Sequence, residues 1–116
     1  MPPTKAAFRD IGAVTIVDLS GLLMLGESSA VLHRAISDLM AKQRSKIILN
    51  LRDVKGIDSA GIGEIIASFT EVKTGEGRLK LLNPPQKISD LVALTRLSNV
   101  LQVYTDEAVA IQSFDS

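Results

Sequence analysis

The run KIILNL at positions 46–51 constrains the fold more than any other segment of this 116-residue chain. A strand with one wet face alternates apolar and polar residues. This one is apolar at consecutive positions, so both of its faces must be covered, as they are in a parallel sheet between layers of helix. The β-branched run AVTIVDL (13–19) is a second expected strand, RLKLLN (78–83) a third and VLQVY (100–104) a fourth. A weaker strand around Ala6–Arg9 precedes Gly12, with a turn expected near Asp10-Ile11-Gly12.

Helical spacing fills the intervals. Leu32, Ala35, Ile36 and Leu39 follow the i, i+3, i+4, i+7 pattern in a helix expected over 28–42, with Ser28 or Ser29 as its cap. Ile62, Ile65, Ile66, Phe69 and Val72 do the same and stop at the GEG of 75–77. Ile88, Leu91, Val92 and Thr95 give a shorter helix behind Pro84-Pro85, and a last one is expected from Asp106 to about Phe114. Strand and helix alternate without linker or repeat. The expectation is one domain over 1–116, an α/β sandwich on a largely parallel sheet.

Composition narrows the function. Hydrophobic residues make up 46% and aromatics 3%, so the core is aliphatic, and a chain of this size buries roughly two-thirds of its unfolded surface. Thirteen basic residues balance thirteen acidic ones, which leaves no field to attract a polyanion, and no nucleic-acid partner is expected. Cysteine is absent and His33 is the single histidine, which excludes disulfides, thiolate metal sites and His-rich zinc sites; no metal or cofactor is expected. The opening MPPTKAAFRD has no apolar signal region and no run approaches a membrane span. A cytoplasmic protein without direct membrane insertion is the expectation.

Chemistry concentrates in VKGIDSAGIGEII (54–66), where Asp58-Ser59 and two glycines stand at the mouth of a helix. Strand-to-helix turns of a parallel sheet lie at its carboxyl edge, where ligands bind, and a first helical turn offers free N–H groups. Three catalytic motifs fail on spacing. Gly56 and Gly61 are separated as in a phosphate-binding loop, but Ile62 stands where lysine is needed. A dinucleotide fingerprint starting at Gly61 meets Ile66 at its third small position. A hydrolase elbow needs glycine two residues before the serine and finds Ile57, and its only histidine base would be His33, which reads more simply as a solvated helix residue.

Asp58 and Ser59 are also ordinary N-cap residues, worth about 1 kcal/mol. Gly61 and Gly63 each cost a helix about 1 kcal/mol relative to alanine. They serve either close packing of helix on sheet or a flat approach for a partner. The loop SGLLMLGESS (20–29) has two readings of its own. Leu22, Leu23, Met24 and Leu25 either tuck a strand end into the core or form an apolar contact patch beside Ser59.

ILNLRDVKGIDSAGIGEI resembles the signature of the STAS domain, and in particular that of the bacterial anti-sigma factor antagonists. The resemblance runs from AVTIVDLSG to GRLKLLNPPQKISDLVALTRLSNVLQVYTDEAVAI, nearly the whole chain. It implies a mixed, mostly parallel sheet of four to five strands flanked by about four helices. It also implies a binding module rather than an enzyme, which sequesters an anti-sigma factor of the serine-kinase type. The family's phospho-accepting serine falls on Ser59; phosphorylation there switches binding off and a phosphatase restores it. The implied partner surface comprises Asp58, Ser59, Ala60, Gly61, Ile62 and Gly63, with Leu22, Leu23 and Met24 as a second segment. Two positions depart from the family pattern: Ala60 replaces a second serine found in some sporulation-type members, and Met24 stands where an aspartate is usual. Other roles the resemblance allows are an accessory subunit or scaffold in lipid-transport or stress-sensing complexes, and nucleotide binding, which the missing lysine disfavours.

Overall fold

Strands β2 (Val14–Leu23) and β3 (Lys46–Ile57) form the centre of the sheet because both carry consecutive apolar residues. The structure, a computed structural model, describes residues 4–24, 27–94 and 100–115, with backbone alone for 27–29. The chain runs β1 (Lys5–Ile11), β2, α1 (Glu27–Ala41), β3, α2 (Ser59–Thr74), β4 (Arg78–Leu82), α3 (Gln86–Leu94), β5 (Val103–Tyr104) and α4 (Glu107–Gln112), and then a 3₁₀ turn at Ser113–Asp115. The sheet order is β1-β2-β3-β4-β5, with β1 antiparallel to β2 and every other pair parallel.

The doubly apolar strands divide their side chains between two cores. On one face Val17, Leu19, Leu49, Leu51 and Leu81 meet Leu32, Ile36 and Leu39 of α1, Ile65 and Val72 of α2, and Ile88 and Val92 of α3. On the other face Val14, Ile16, Ile48 and Leu82 are covered by Ala110 of α4 and by Phe114. Burial of each large aliphatic side chain contributes about 1.5–3 kcal/mol before the ordering entropy is subtracted.

Short α4 cannot cover its whole face, and a polar network takes over beyond it. Arg9 donates to both carboxylate oxygens of Asp18, at 2.6 and 2.9 Å, and to Glu107 at 2.7 and 3.2 Å. Asn50, opposite Asp18 in register, donates to it at 2.8 Å. One guanidinium thereby ties β1, β2 and α4 together. Its hydrogen bond, followed by that of Asn50, holds the Asp18 carboxyl below the ordinary range despite partial burial. On the same face Lys80, 5% exposed, lies 4.3 Å from the centre of the Phe114 ring and donates to Ser113 Oγ at 2.7 Å. Burial, and then the Arg78 charge, hold its pKa below the usual lysine value.

Several boundaries move from the sequence expectation. The first turn falls on Gly12-Ala13, because pairing continues to Ile11↔Val14 and Gly12 supplies the positive φ (+61°) of a two-residue hairpin. Helix α1 begins at Glu27, ahead of Ser28 and Ser29, so neither is its cap. Asp106 caps α4 instead of belonging to it, accepting from Val109 N–H at 3.0 Å. The fourth expected strand shortens to Val103–Tyr104, and Leu101 turns into the core. Leu25 and Thr95 lie outside the described residues.

The largest revision concerns β3, which continues past Leu51 to Ile57. β4 pairs with it only as far as Asn50↔Leu82; from Ser20↔Asp53 to Leu23↔Ile57 it pairs with β2 alone. This two-stranded extension leaves Arg52, Asp53 and Lys55 in solvent and carries the start of α2 beyond the body of the sheet.

Candidate functional site

The extension of β3 delivers the chain to Asp58, whose backbone is extended (φ −112°, ψ −176°) as an N-cap requires. Asp58 Oδ1 accepts from Gly61 N–H at 2.9 Å and its carbonyl accepts from Ile62 N–H at 3.0 Å. The cap is therefore made by Asp58 alone. Ser59 is the first helical residue, exposed, and its hydroxyl has no hydrogen-bond partner among the described residues. No acidic side chain lies in the first turn that follows.

The two glycines serve different ends. A Cβ on Gly61 would lie 2.0 Å from the Leu23 carbonyl oxygen and 2.8 Å from Ile57 Cγ1, so only glycine lets the strand end cross the first turn of α2. A Cβ on Gly63 would meet nothing within 4 Å, and Gly63 is exposed. Close packing explains the first glycine; the second leaves a bare, flat spot one turn from Ser59.

The same crossing brings the two candidate segments together. Asp58 N–H donates to the Leu23 carbonyl at 3.4 Å, and a Cβ on Gly56 would lie 3.1 Å from Leu22 Cδ2 and 3.2 Å from Met24 Cε. Leu22 and Met24 are half-buried and so stand beside the mouth of α2, whereas Leu23 is 1% exposed and belongs to the core. This corrects the inclusion of Leu23 in a contact surface: strand alternation points it inward between two neighbours that point out. Gly61 is likewise buried and supports the surface instead of forming it. Ala60 and Ile62 are half-buried, and Ile62 leans on the main core.

Sequence spacing placed Ile66 on the buried face of its helix, yet it is 36% exposed. Ser59, Gly63, Ile66, Ala67 and Thr70 are all exposed and form one stripe along α2. The signal was available: these positions repeat at i, i+4, i+7, i+8, i+11 counted from Ser59, the period of a helix face.

The remaining chemistry lies elsewhere. His33 is exposed, and its Nδ1 lies 3.7 Å from Glu71, twelve residues and about 18 Å along α2 from Ser59. It cannot act as base to that hydroxyl. A broad depression of about 530 Å³ on the carboxyl edge is lined by Leu51, Arg52, Val54, Asn83, Pro84, Pro85 and Thr105, without Ser59. The parallel strands β2 to β5 follow one another in order, so the sheet has no reversal point of the kind that makes a dinucleotide crevice. Among the described residues no group of acidic or histidine side chains is arranged to hold a metal ion, and no helix is long and apolar enough to cross a membrane. Among the described residues, the mouth of α2 presents one exposed hydroxyl, a bare glycine and partly exposed aliphatic groups.

The chain is similar in sequence and fold to known proteins. The anti-sigma F factor antagonist of Paenibacillus polymyxa is 28% identical over 104 residues, 88% of this chain and 87% of that protein. The crystal structure of the Thermotoga maritima protein TM1081 matches with a TM-score of 0.84 at 23% identity, covering 96% of this chain and 95% of the other. The Bacillus cell fate determinant SpoIIAA in its phosphorylated form matches with a TM-score of 0.77 at 20% identity, over 95% and 99% of the two chains. The STAS domain family model matches residues 5–110, nearly every element described above. The chain belongs to the STAS domain family.

Proposed function

We propose that this protein is an anti-sigma factor antagonist that binds a serine-kinase-type anti-sigma factor through the mouth of α2 and is released from it by phosphorylation of Ser59. The observation that carries this reading is the division of labour between Asp58 and Ser59. Asp58 makes the cap, so the Ser59 hydroxyl is exposed and without a structural duty. A phosphate can be added there without breaking a hydrogen bond of the fold. The surface offered to the partner comprises Ser59, Gly63 and the exposed parts of Asp58, Ala60 and Ile62, flanked by Leu22 and Met24. The relatives named as anti-sigma factor antagonists support the partner class.

The energetics suit a switch. Phosphoserine adds about −1.5 to −2 charges at neutral pH. At a helix N-terminus that charge is favourable by about 0.3–1 kcal/mol, so the domain keeps its fold. Against an acidic group of a docked partner at 4 Å, each pair of unit charges repels by about 4 kcal/mol at an effective dielectric of 20. That corresponds to roughly a thousandfold in affinity. In this reading Ser59 is a substrate of the partner kinase and of an opposing phosphatase, and the protein itself performs no catalysis. Met24, where family members commonly carry aspartate, makes the flank apolar and selects a partner with an apolar counterpart.

The test is incubation with a co-purifying kinase-type anti-sigma factor and ATP, followed by mapping of the phosphate. One phosphate on Ser59 is expected. Ser59→Asp should weaken the partner by about a hundredfold or more, while Ser59→Ala should bind nearly as the unmodified protein does. Phosphate at another residue, or equal losses from both substitutions, would refute the switch and favour a scaffold role.

A further inference from the structure

We propose that the outer edge of β1 joins two copies of this chain, strand to strand and antiparallel, about a two-fold axis at Phe8. The two-residue turn between β1 and β2 makes Ile11↔Val14 a doubly hydrogen-bonded pair. Lys5, Ala7, Arg9 and Ile11 therefore direct their backbone groups to β2, and Ala6, Phe8 and Asp10 direct theirs outward. Among the described residues no strand lies opposite that edge. The register of β1 on β2 is unbroken from Lys5 to Ile11, without the shifts seen between β2 and β3, so the edge is regular and ready to pair.

Sheet edges are commonly protected by charge, and here the central charges are engaged within the fold. Arg9 is held by Asp18 and Glu107 on the α4 side of the sheet. Asp10 accepts from Thr15 Oγ1 at 2.8 Å and from Arg44 at 3.1 Å on the α1 side. Phe8 shares that side with Asp10 and is 51% exposed, so the middle of the edge carries a large apolar group in water. A hollow of about 350 Å³ lined by Phe8, Asp10, Asp38, Leu39, Lys42 and Arg44 opens beside it.

The occupant is a second copy because β1 complements itself in one register. With Phe8 opposite Phe8, the outward groups of Ala6, Phe8 and Asp10 meet those of the second copy's Asp10, Phe8 and Ala6, and all of them are paired. Arg9 then faces the second copy's Ala7 and Lys5 faces its Ile11, so no charge directly opposes a like charge. The next registers that keep these bonds lie two residues to either side. One sets Arg9 against Arg9, the other Arg9 against Lys5. In the favoured register the two Phe8 side chains are direct neighbours and remove each other from water. β2 separates β1 from β3, whose end leads to Ser59, so the pairing leaves Ser59 out and is independent of the anti-sigma reading.

The experiment is sedimentation equilibrium of the full chain together with amide hydrogen exchange by NMR, both from about 20 µM to about 1 mM, and a dimer with a Kd of about 300 µM or tighter is expected. Exchange at Ala6, Phe8 and Asp10 should slow as concentration rises, while Ala7 and Arg9, bonded to β2, are protected at every concentration. Phe8→Lys, which sets two like charges opposite each other at an exposed position, should weaken the dimer by about tenfold or more with circular dichroism unchanged. If that variant misfolds, the exchange pattern of the unmodified chain decides alone. A monomer throughout would overturn the proposal and leave the edge to a partner of other sequence. Protection of the three amides that does not vary with concentration would overturn it in favour of a segment of the same chain. Slowed exchange centred on another face, or a dimer indifferent to Phe8→Lys, would overturn it as well.

Discussion

At the scale of single residues, the first turn of α2 separates groups that build the site from groups that present it. Gly61 builds it, and an added methyl has nowhere to go, because the atom in its way is the Leu23 backbone carbonyl. Gly61→Ala should cost about 2–3 kcal/mol or prevent folding, while Gly63→Ala should stabilise by about 0.5–1 kcal/mol, both read from urea denaturation. Asp58→Ala should cost about 1 kcal/mol through the lost cap, and Ser59→Ala almost nothing by the same measurement. Sequence reasoning located all four residues but left the two glycines undecided between packing and open approach. The decision required knowing that a carbonyl from a distant strand crosses one and not the other. Leu23 illustrates the same point: four consecutive apolar residues do not announce which of them faces inward until the strand's register is known.

Among elements, β3 departs furthest from its sequence pattern. Its apolar half was legible because neighbours cover it on both faces; its second half was not, because Arg52, Asp53 and Lys55 read as a loop. They are strand residues that pair with β2 alone and keep one edge in water. Helix α4 depends on a polar anchor that no local pattern could indicate, since Arg9 and Glu107 are far apart in sequence. That anchor gives a pH dependence. The folded Asp18 pKa lies below its unfolded value of about 3.9, so its contribution is complete above that value and is lost as pH falls through the folded one. Asp10, lowered first by its hydrogen bond to Thr15 and then by Arg44, acts in the same direction. Acid titration of thermal stability should show a decline beginning near pH 4 that is shallower in Asp18→Asn. An unchanged slope in that variant would remove the anchor from the account.

For the whole molecule, three helices pack on one face of the sheet and α4 with its 3₁₀ turn on the other, and among the described residues Ser59 and Gly63 at the mouth of α2 stay exposed. The alternation of strand and helix made this architecture readable from the chain, and the five strands and four helices of the described residues fall within the expected numbers. A domain whose exposed Ser59 hydroxyl makes no hydrogen bond among the described residues should take a charge there without reorganising. Phosphorylated protein should keep its far-UV circular dichroism and melt no lower than the unmodified form, and at most about 4 °C above it, since the helix N-terminus favours the added charge by about 0.3–1 kcal/mol. The most direct measurement is the affinity of the anti-sigma partner for the protein before and after quantitative phosphorylation of Ser59, with fold integrity recorded on the same samples. A loss of roughly a thousandfold in an intact domain is the predicted result. Equal affinities for the two forms would contradict the account.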